Sequence, residues 1–516
     1  MRQQPLKALT PVQHRYLMAA LFVAGAATLV LEIGGTRVIS PFYGSSIYCW
    51  SALITVTLVA LAGGYSMGGR AADRGASLTL FARGLCLAGA AVAAVPVLRA
   101  PVLRLTAGLG VQLGALASAT ILLAPALVWL SMLGPISIRL TALALDTVGR
   151  KAGDVYAVST LGSVLGAVLA GFVLIPRLSI AHVFYGTATL LLVLGALGYR
   201  LAQIKLPLLQ MAAAAVVALF GFWPRQVPDT NILVNKDSPY GQIKVMDTAG
   251  RKRYLLVNGT AQSVARLPGL ESDSQYAHAL EWTPLLRPRA RRALVIGMGA
   301  GLVPAAWERA HGLTVDAVDI DPEIVSVARN YFGYRPRGRV FVEDGRTFLE
   351  REGLPYGLIL LDAFATESPP YHLFSREAIA AMKRRLKPRG ILAVNIVSIV
   401  RPPGNEPWVA AYKTLKAVFP EVRAFVGSEV YAGIANVLLF ASDGPLADGG
   451  ASRRARPEAL PDLAAMLDRE LVPGAGEISA APVMTDDHAP MEFLLAKTAT
   501  LWRKSLQAQI SDVLLY

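Results

Sequence analysis

The strongest constraint on the fold is a series of long apolar runs in the first two hundred residues. The runs carry no charged side chain, and they cover residues 16–31, 38–69, 84–98, 105–138, 155–176 and 178–199. A helix of about 20 apolar residues spans the hydrocarbon core of a bilayer. The runs therefore predict a multi-pass α-helical membrane domain over residues 1–224, with the lipid bilayer as its partner. A shorter apolar run at 206–224 is a candidate seventh helix.

The composition agrees with a membrane protein and argues against several kinds of site. Hydrophobic residues make up 54% and charged residues 17% of the 516-residue chain, which is too apolar for an ordinary soluble enzyme. Cys49 and Cys86 lie in apolar runs and the six histidines are scattered, so we expect no disulfide framework and no metal site. We attribute the net charge of +14 to loops that face anionic lipid. No basic stripe interleaved with aromatic residues indicates a nucleic-acid partner.

A polar break at residues 224–230 separates the apolar region from a small β section. Strand-like runs occupy residues 242–246 and 254–257, and Asn258-Gly259 after the second run is a turn signal. We therefore predict a small N-terminal β subdomain over residues 225–290.

From residue 291 to 445, short apolar runs alternate with helical segments, which is typical of a parallel sheet with helices on both faces. The run at 294–296 ends in the glycine-rich turn 297–301, and the run at 314–318 ends at Asp319. Glycines let a backbone approach a ligand closely, and an acid on the next strand accepts hydrogen bonds from ribose hydroxyls. The sequence therefore predicts an α/β Rossmann-like nucleoside-binding domain over 291–445, completed by a C-terminal segment at 446–516.

Four features of this domain fall at the ends of successive predicted strands. They are the turn that begins at Gly297, and the acids Asp319, Asp344 and Asp362. Ligands of such sheets bind beyond the carboxyl ends of the strands, so we expect the four to share one site. Simpler roles stay open: a solvated loop acid for Asp319, a helix cap for Asp344 and a turn residue for Asp362.

The loops of the membrane domain predict its orientation, because lysine and arginine accumulate on the cytoplasmic side. One set of loops carries Arg2, Lys7, Arg15, Arg70, Arg74, Arg139, Arg150, Lys151, Arg200 and Lys205, and the alternate set carries Arg99, Arg104 and Arg177. The N-terminus is therefore predicted to be cytoplasmic. Seven crossings would place the C-terminal half outside, where nucleoside cofactors are scarce, and six would place it inside. On that chemical ground we predict six crossings and a cytoplasmic C-terminal half.

The stretch from about 238 to 395 resembles the spermidine synthase family, the polyamine aminopropyltransferases. The whole chain resembles bacterial inner-membrane proteins in which such a domain follows a transmembrane region. The matching motifs are Ser238-Pro239-Tyr240, residues 256–262, Tyr276, the turn 297–301, Asp319-Ile320-Asp321, Asp344-Gly345, Asp362, Leu373-Phe374 and residues 484–490.

The resemblance implies a small β domain before a Rossmann-like domain, and transfer of an aminopropyl group to an amine such as putrescine with release of methylthioadenosine. The substrate would be S-adenosylmethionine or its decarboxylated form, and family practice suggests a homo-oligomer. By position, Asp319 corresponds to the ribose-binding acid, Asp344 with Gly345 to the adenine contact, and Asp362 to the proton acceptor. The resemblance also implies nucleoside binding by Gln242, Gln262, Gly297, Gly299, Gly301 and Ile320, and a substrate side formed by Tyr240, Tyr276 and His278.

The chain departs from the family pattern mainly where cationic amines would bind. The family has acids at the positions of Asn258, Ala300 and Ala365, and a Tyr-His-Glu run where this chain has Tyr276-Ala277-His278. Each lost carboxylate forfeits a charge-assisted hydrogen bond worth on the order of 1.5–3 kcal/mol. Ala300 would also remove the repulsion of a methionine carboxylate, so we expect S-adenosylmethionine to be tolerated.

Three functions follow as candidates. The first is transfer or elimination of the aminoalkyl group with release of methylthioadenosine. The second is an S-adenosylmethionine-dependent methyltransferase, which uses the same nucleoside fold. The third is a transporter or sensor whose soluble half binds a nucleoside without turnover, with Glu32 and Arg37 at the far end of the first helix as its support.

Overall fold

The structure, a computed structural model, describes residues 9–43, 47–142, 147–205, 230–287, 289–364, 368–446, 466 and 468–502. It divides into two units. The helical unit comprises Met1–Gln226, Lys236–Gly241 and Leu515–Tyr516, and the α/β unit comprises Val227–Asn235 and Gln242–Leu514. The predicted seventh helix at 206–224 and the position of Ala365 lie outside the described residues.

The described part of the helical unit contains six helices that are long and apolar enough to cross a bilayer. They are α1 (Pro11–Tyr43), α2 (Ile47–Gly75), α3 (Leu78–Thr106), α4 (Gly110–Thr141), α5 (Val148–Leu169, continued by a π turn at Ala170–Leu174) and α6 (Ile180–Leu201). This confirms the predicted helical N-terminal region. The principal packing pairs are α2 with α4, α3 with α6 and α1 with α5.

One predicted boundary in this region is wrong. The uncharged run 38–69 was expected to form a single span, but residues up to Tyr43 complete α1 and the next helix begins at Ile47. The run has 32 residues, which is more than the roughly 20 that one crossing needs. It therefore has room for the end of one helix and most of the next.

The α/β unit begins with a five-stranded sheet in the order β1 to β5. Its strands are β1 (Thr230–Asp237), β2 (Gln242–Thr248), β3 (Lys252–Val257), β4 (Thr260–Arg266) and β5 (Glu271–Ser272). Strands β2 to β5 pair antiparallel. Asn258 and Gly259 both have positive φ, +48° and +75°, between β3 and β4, as the predicted hairpin turn requires.

A second sheet of eight strands follows, in the order β13-β11-β12-β10-β9-β6-β7-β8. Its strands are β6 (Arg292–Ile296), β7 (Thr314–Asp319), β8 (Val340–Val342), β9 (Tyr356–Leu361), β10 (Leu386–Ile399), β11 (Glu421–Val426), β12 (Ile434–Ser442) and β13 (Glu470–Leu471). The expectation of a parallel sheet holds for β10, β9, β6, β7 and β8. It is wrong for β12, β11 and β13, which pair antiparallel, because a short connection returns the chain directly after β11.

Both faces of the central strands are buried. Along β9, Ile359 and Leu361 belong to one hydrophobic core, whereas Leu358 and Leu360 belong to another, as the two-residue period of a strand dictates. The helices of this unit are α7 (Gln275–Glu281), α8 (Leu302–His311), α9 (Pro322–Tyr331), α10 (Gly345–Glu350), α11 (Arg376–Arg384), α12 (Glu406–Lys416) and α13 (Ala475–Ala480). A continuous apolar strand such as β9 is what a doubly covered sheet needs.

Candidate active site

The carboxyl ends of three parallel strands, β6, β7 and β9, meet at one edge of the larger sheet. The Gly297 N–H donates to the carbonyl oxygen of Val318 at 2.9 Å, which joins the ends of β6 and β7. The Asp362 N–H donates to the carbonyl oxygen of Ile296 at 2.9 Å, which joins the ends of β9 and β6. The glycine turn, Asp319 and Asp362 are therefore neighbours, as the strand-end argument predicted.

The turn after β6 depends on glycine. Gly297, Gly299 and Gly301 have φ of +83°, +51° and +76°, a region that other residues enter at a cost. A Cβ on Gly297 would overlap the carbonyl oxygen of Asp362, and one on Gly301 would stand 2.5 Å from the ring of Tyr334. The turn thus brings bare backbone against the end of β9.

Asp319 ends β7 with its carboxylate turned toward this glycine turn. One oxygen, Oδ2, accepts from the Met298 N–H at 3.1 Å, and Oδ1 accepts from the Asp321 N–H at 3.0 Å. Burial raises the pKa of Asp319 to about 6, and the backbone hydrogen bonds act in the opposite direction. The following residue, Ile320, is 40% exposed.

Asp362 stands at the end of β9 and is held by an asparagine of β10. Its Oδ1 accepts from the Asn395 side-chain NH₂ at 2.8 Å, and the Asn395 side-chain oxygen accepts from the Asn436 NH₂ of β12 at 3.1 Å. Burial raises the pKa of Asp362 to about 6, against the lowering effect of the bond from Asn395. The sequence argument missed both asparagines. The available signal was one amide in each of two otherwise apolar strand runs.

Tyr276, at the start of α7, completes this side of the site. Its hydroxyl donates to the carbonyl oxygen of Gln262 at 3.4 Å. Burial and, second, the negative charge of Asp362 raise the pKa of Tyr276 well above its usual value. Tyr276, the Gln262 backbone and Asp362 therefore lie within interaction range of one another.

Asp344 is a helix cap, the alternative that the sequence left open. Its Oδ1 accepts from the N–H groups of Arg346 and Thr347 at 2.9 and 3.0 Å, at the start of α10, while Oδ2 lies 2.9 Å from His372 Nε2. Burial raises the pKa of Asp344, but these hydrogen bonds outweigh burial and hold it below its ordinary value. Gly345 follows, and a Cβ there would stand 2.6 Å from the side chain of Ile296, so Asp344 is close to the end of β6.

The same region is similar to proteins of known class. Residues 276–422 match the family described as the spermine/spermidine synthase domain. The chain carries a spermine/spermidine synthase domain. The glycine turn, Asp319, Asp344, Asp362 and Asn395 all lie inside the matched stretch, whereas Asn436 lies beyond it.

Two curated relatives and one solved structure illustrate the range of similar proteins. A polyamine aminopropyltransferase of Vibrio vulnificus is 38% identical over 120 residues, which are 22% of this chain and 40% of that protein. An N-terminal histidine N-methyltransferase of Emericella nidulans is 30% identical over 164 residues, 30% of this chain and 29% of that protein. The crystal structure of spermidine synthase from Thermotoga maritima is 19% identical and covers 48% of this chain and 87% of that one, with a TM-score of 0.39. The chain thus spans less than half the length of these two curated relatives.

Three more residues predicted for the site are Gln242, His278 and Tyr240, and their surroundings are as follows. Gln242 donates its side-chain NH₂ to Asn235 at 3.1 Å. His278 lies 3.6 Å from the Glu281 carboxylate along α7. Tyr240 belongs to the loop Lys236–Gly241 of the helical unit and is 50% exposed.

Two of the departures from the family pattern have hydrogen-bond partners in the α/β unit. Asn258 accepts a hydrogen bond from the Gln242 N–H at 2.9 Å through its side-chain oxygen, a role that does not need a charge. Ala300 is buried, and its N–H donates to the Ser263 hydroxyl at 3.1 Å. Within the described ranges, no group of three or more histidine, cysteine, aspartate or glutamate side chains could hold a metal ion.

Proposed function

We propose that this protein is a membrane-anchored aminoalkyl transferase of the spermidine synthase type. It would bind S-adenosylmethionine or its decarboxylated form, and move or eliminate the aminoalkyl group with release of methylthioadenosine. The single observation that carries the proposal is the Asp362 carboxylate, held by Asn395 at the end of β9 and directly beside the glycine turn. The aminopropyltransferase named among its relatives supports the same reaction class.

Asp319 is proposed to hold the ribose. Its oxygens accept the backbone N–H groups of Met298 and Asp321, and the Gly299 N–H also hydrogen-bonds the carboxylate. A carboxylate offers about four acceptor positions in all, so acceptor capacity remains for a ribose hydroxyl. The glycine turn, with no side chains at 297, 299 and 301, would admit the nucleoside close to the backbone. Asp344 is proposed to act on the adenine side through the oxygen that now faces His372.

Asp362 is proposed to accept the proton of the attacking amine. A protonated amine cannot attack, because its lone pair is occupied. The free amine nitrogen would form a bond to the carbon next to the sulfonium, while the carbon–sulfur bond breaks and its electron pair stays on sulfur. The departing nucleoside is then neutral methylthioadenosine, and the surplus amine proton passes to Asp362. With a pKa of about 6, Asp362 is mainly a carboxylate at neutral pH.

The acceptor is proposed to be a small amine such as putrescine, or the substrate's own group. Asn258 and Ala300 take the place of two acids of the family pattern, so a dication would meet fewer negative charges than in the family. With no external acceptor, the substrate's own nucleophilic group would form a bond to the carbon next to sulfur as the carbon–sulfur bond breaks. This intramolecular substitution closes a ring on the aminoalkyl part and still releases methylthioadenosine.

A methyltransferase is the second candidate, and a specific observation favours it. The side chain of Ala300 is a buried methyl group, so it would not repel the carboxylate of S-adenosylmethionine. One relative is an N-methyltransferase. Its nucleoside product would be S-adenosylhomocysteine. The homo-oligomer suggested by family practice stays a prediction, which light scattering of the purified full chain would check.

The test uses the full-length protein in lipid nanodiscs with decarboxylated S-adenosylmethionine and putrescine. We expect Asp362→Asn to lower kcat about 100-fold or more with KM for the nucleoside little changed, and Asp319→Asn to raise that KM. Asp443→Asn is the matched control, since Asp443 is a surface carboxylate paired with Lys383. Unchanged kcat in Asp362→Asn would remove the proposed base.

A further inference from the structure

The inference concerns how Asp362 is held, and it rests on the proposed function. Asp362, Asn395 and Asn436 form a continuous chain of side-chain hydrogen bonds across β9, β10 and β12. Asn395 is 1% exposed and Asn436 is 7% exposed. Buried amides in apolar strands are costly unless they are hydrogen-bonded, so the two residues need a role that apolar side chains could not fill.

The direction of each hydrogen bond among Asp362, Asn395 and Asn436 indicates that role. A lone asparagine beside a carboxylate can turn either its NH₂ group or its oxygen toward the acid. Asn436 donates its NH₂ to the Asn395 oxygen, and the Asn436 backbone N–H is anchored on the Ser428 hydroxyl at 3.0 Å. We propose that Asn436 is a positioning residue that fixes the amide of Asn395 with its NH₂ toward Asp362, and so keeps the base as a correctly aimed carboxylate.

Tyr276 does not favour the carboxylate form of Asp362. Among the described residues, Tyr276 is a titratable side chain in interaction range of Asp362, and it is neutral at physiological pH since its pKa lies above its ordinary value near 10. Its neutral ring adds no positive charge that would favour the carboxylate. The Asn395 NH₂ is thus the side-chain donor that opposes the effect of burial on Asp362.

The test is a substitution that should reverse the direction of the hydrogen bonds from Asn436 to Asn395 and Asp362. In Asn436→Asp the new carboxylate accepts instead of donating, so the Asn395 NH₂ should turn toward it and leave an oxygen facing Asp362. We expect the acidic limb of the kcat/KM pH profile to move up by about one pH unit, with a roughly fivefold loss at pH 6 that approaches tenfold at lower pH. Asn436→Ser is a milder variant, expected to shift the limb less, and KM for the nucleoside should stay unchanged in both.

Infrared titration of the Asp362 carboxyl band, identified by its loss in Asp362→Asn, gives a readout that needs no turnover. An upward shift of that titration in Asn436→Asp supports the positioning role of Asn436. It does so even if the wild type transfers nothing, in which case only the proposed function fails. An unshifted titration in Asn436→Asp overturns the positioning role of Asn436. Loss of activity that is equal at every pH would also overturn it, since that is what a purely structural role predicts.

Discussion

Replacing the proposed base should stabilise the protein, and the gain should depend on pH. Burial raises the pKa of Asp362 from the ordinary 3.8 to about 6. A raised carboxyl pKa means that the folded state prefers the protonated acid. The free energy of unfolding therefore falls as pH rises from about 4 to about 6, and it is level above that range. Asp362→Asn removes this loss, because an amide does not ionise.

The size of the expected stabilisation follows from the shift in the pKa of Asp362. A difference of about 2 pKa units corresponds to about 3 kcal/mol at 1.36 kcal/mol per unit. This is an upper limit, since the Asp362 side chain is partly exposed and water screens its charge. For a domain of 150–250 residues, 1 kcal/mol moves Tm by about 2–4 °C. We therefore expect Asp362→Asn to raise Tm by several degrees at pH 8, and at most by about 12 °C.

The assay is thermal unfolding of the ligand-free, full-length protein in nanodiscs between pH 4 and pH 8. The asparagine oxygen can still accept the Asn395 NH₂, so the hydrogen bond at this position survives the substitution. The Tm difference between variant and wild type should be near zero at pH 4, grow through pH 5 and 6, and stay constant above. Asp443→Asn should show no such trend. A difference that is independent of pH, or a wild type more stable at pH 8, would refute the reasoning.

Three further predictions concern the pocket and its support. Gly297→Ala should weaken binding of S-adenosylmethionine at least tenfold by calorimetry, whereas Gly312→Ala, with a similar φ of +66° but open space around its Cβ, should leave binding unchanged. Asp319→Asn should weaken the same binding about 10–100-fold, because charge-assisted hydrogen bonds are worth about 1.5–3 kcal/mol; an unchanged Kd would exclude it as the ribose acid. Arg346→Gln should lower Tm by a few degrees, since Arg346 donates twice to Asp486 at 3.2 and 3.1 Å; a Tm equal to that of the wild type would contradict this.

The strand-end features could be predicted because their signal is local. A short apolar run followed by glycines or an acid is visible within a few residues, and parallel strands bring such ends to one edge. Gly297, Asp319 and Asp362 are neighbours for that reason. The Asn258-Gly259 turn was predictable on the same basis, since both positions need positive φ.

Features that depend on pairing between distant segments could not be predicted. Asn395 meets Asn436 only because β12 turns back antiparallel against β10, and the pattern of alternating strands and helices gives no sign of that reversal. His278 has the Glu281 carboxylate three residues away as a partner, which motif position alone did not indicate. The hydrogen bond from Arg37 to the carbonyl oxygen of Ser238 joins segments about two hundred residues apart, and no local pattern predicts it.

The most direct test of the central claim is the identity of the nucleoside that the protein makes. Purified full-length protein would be incubated with S-adenosylmethionine or its decarboxylated form, with and without putrescine, and the nucleosides identified by mass spectrometry. We predict methylthioadenosine from at least one of the two substrates, and its loss in Asp362→Asn. S-adenosylhomocysteine as the only product, or no turnover of either compound, would contradict an aminoalkyl transferase.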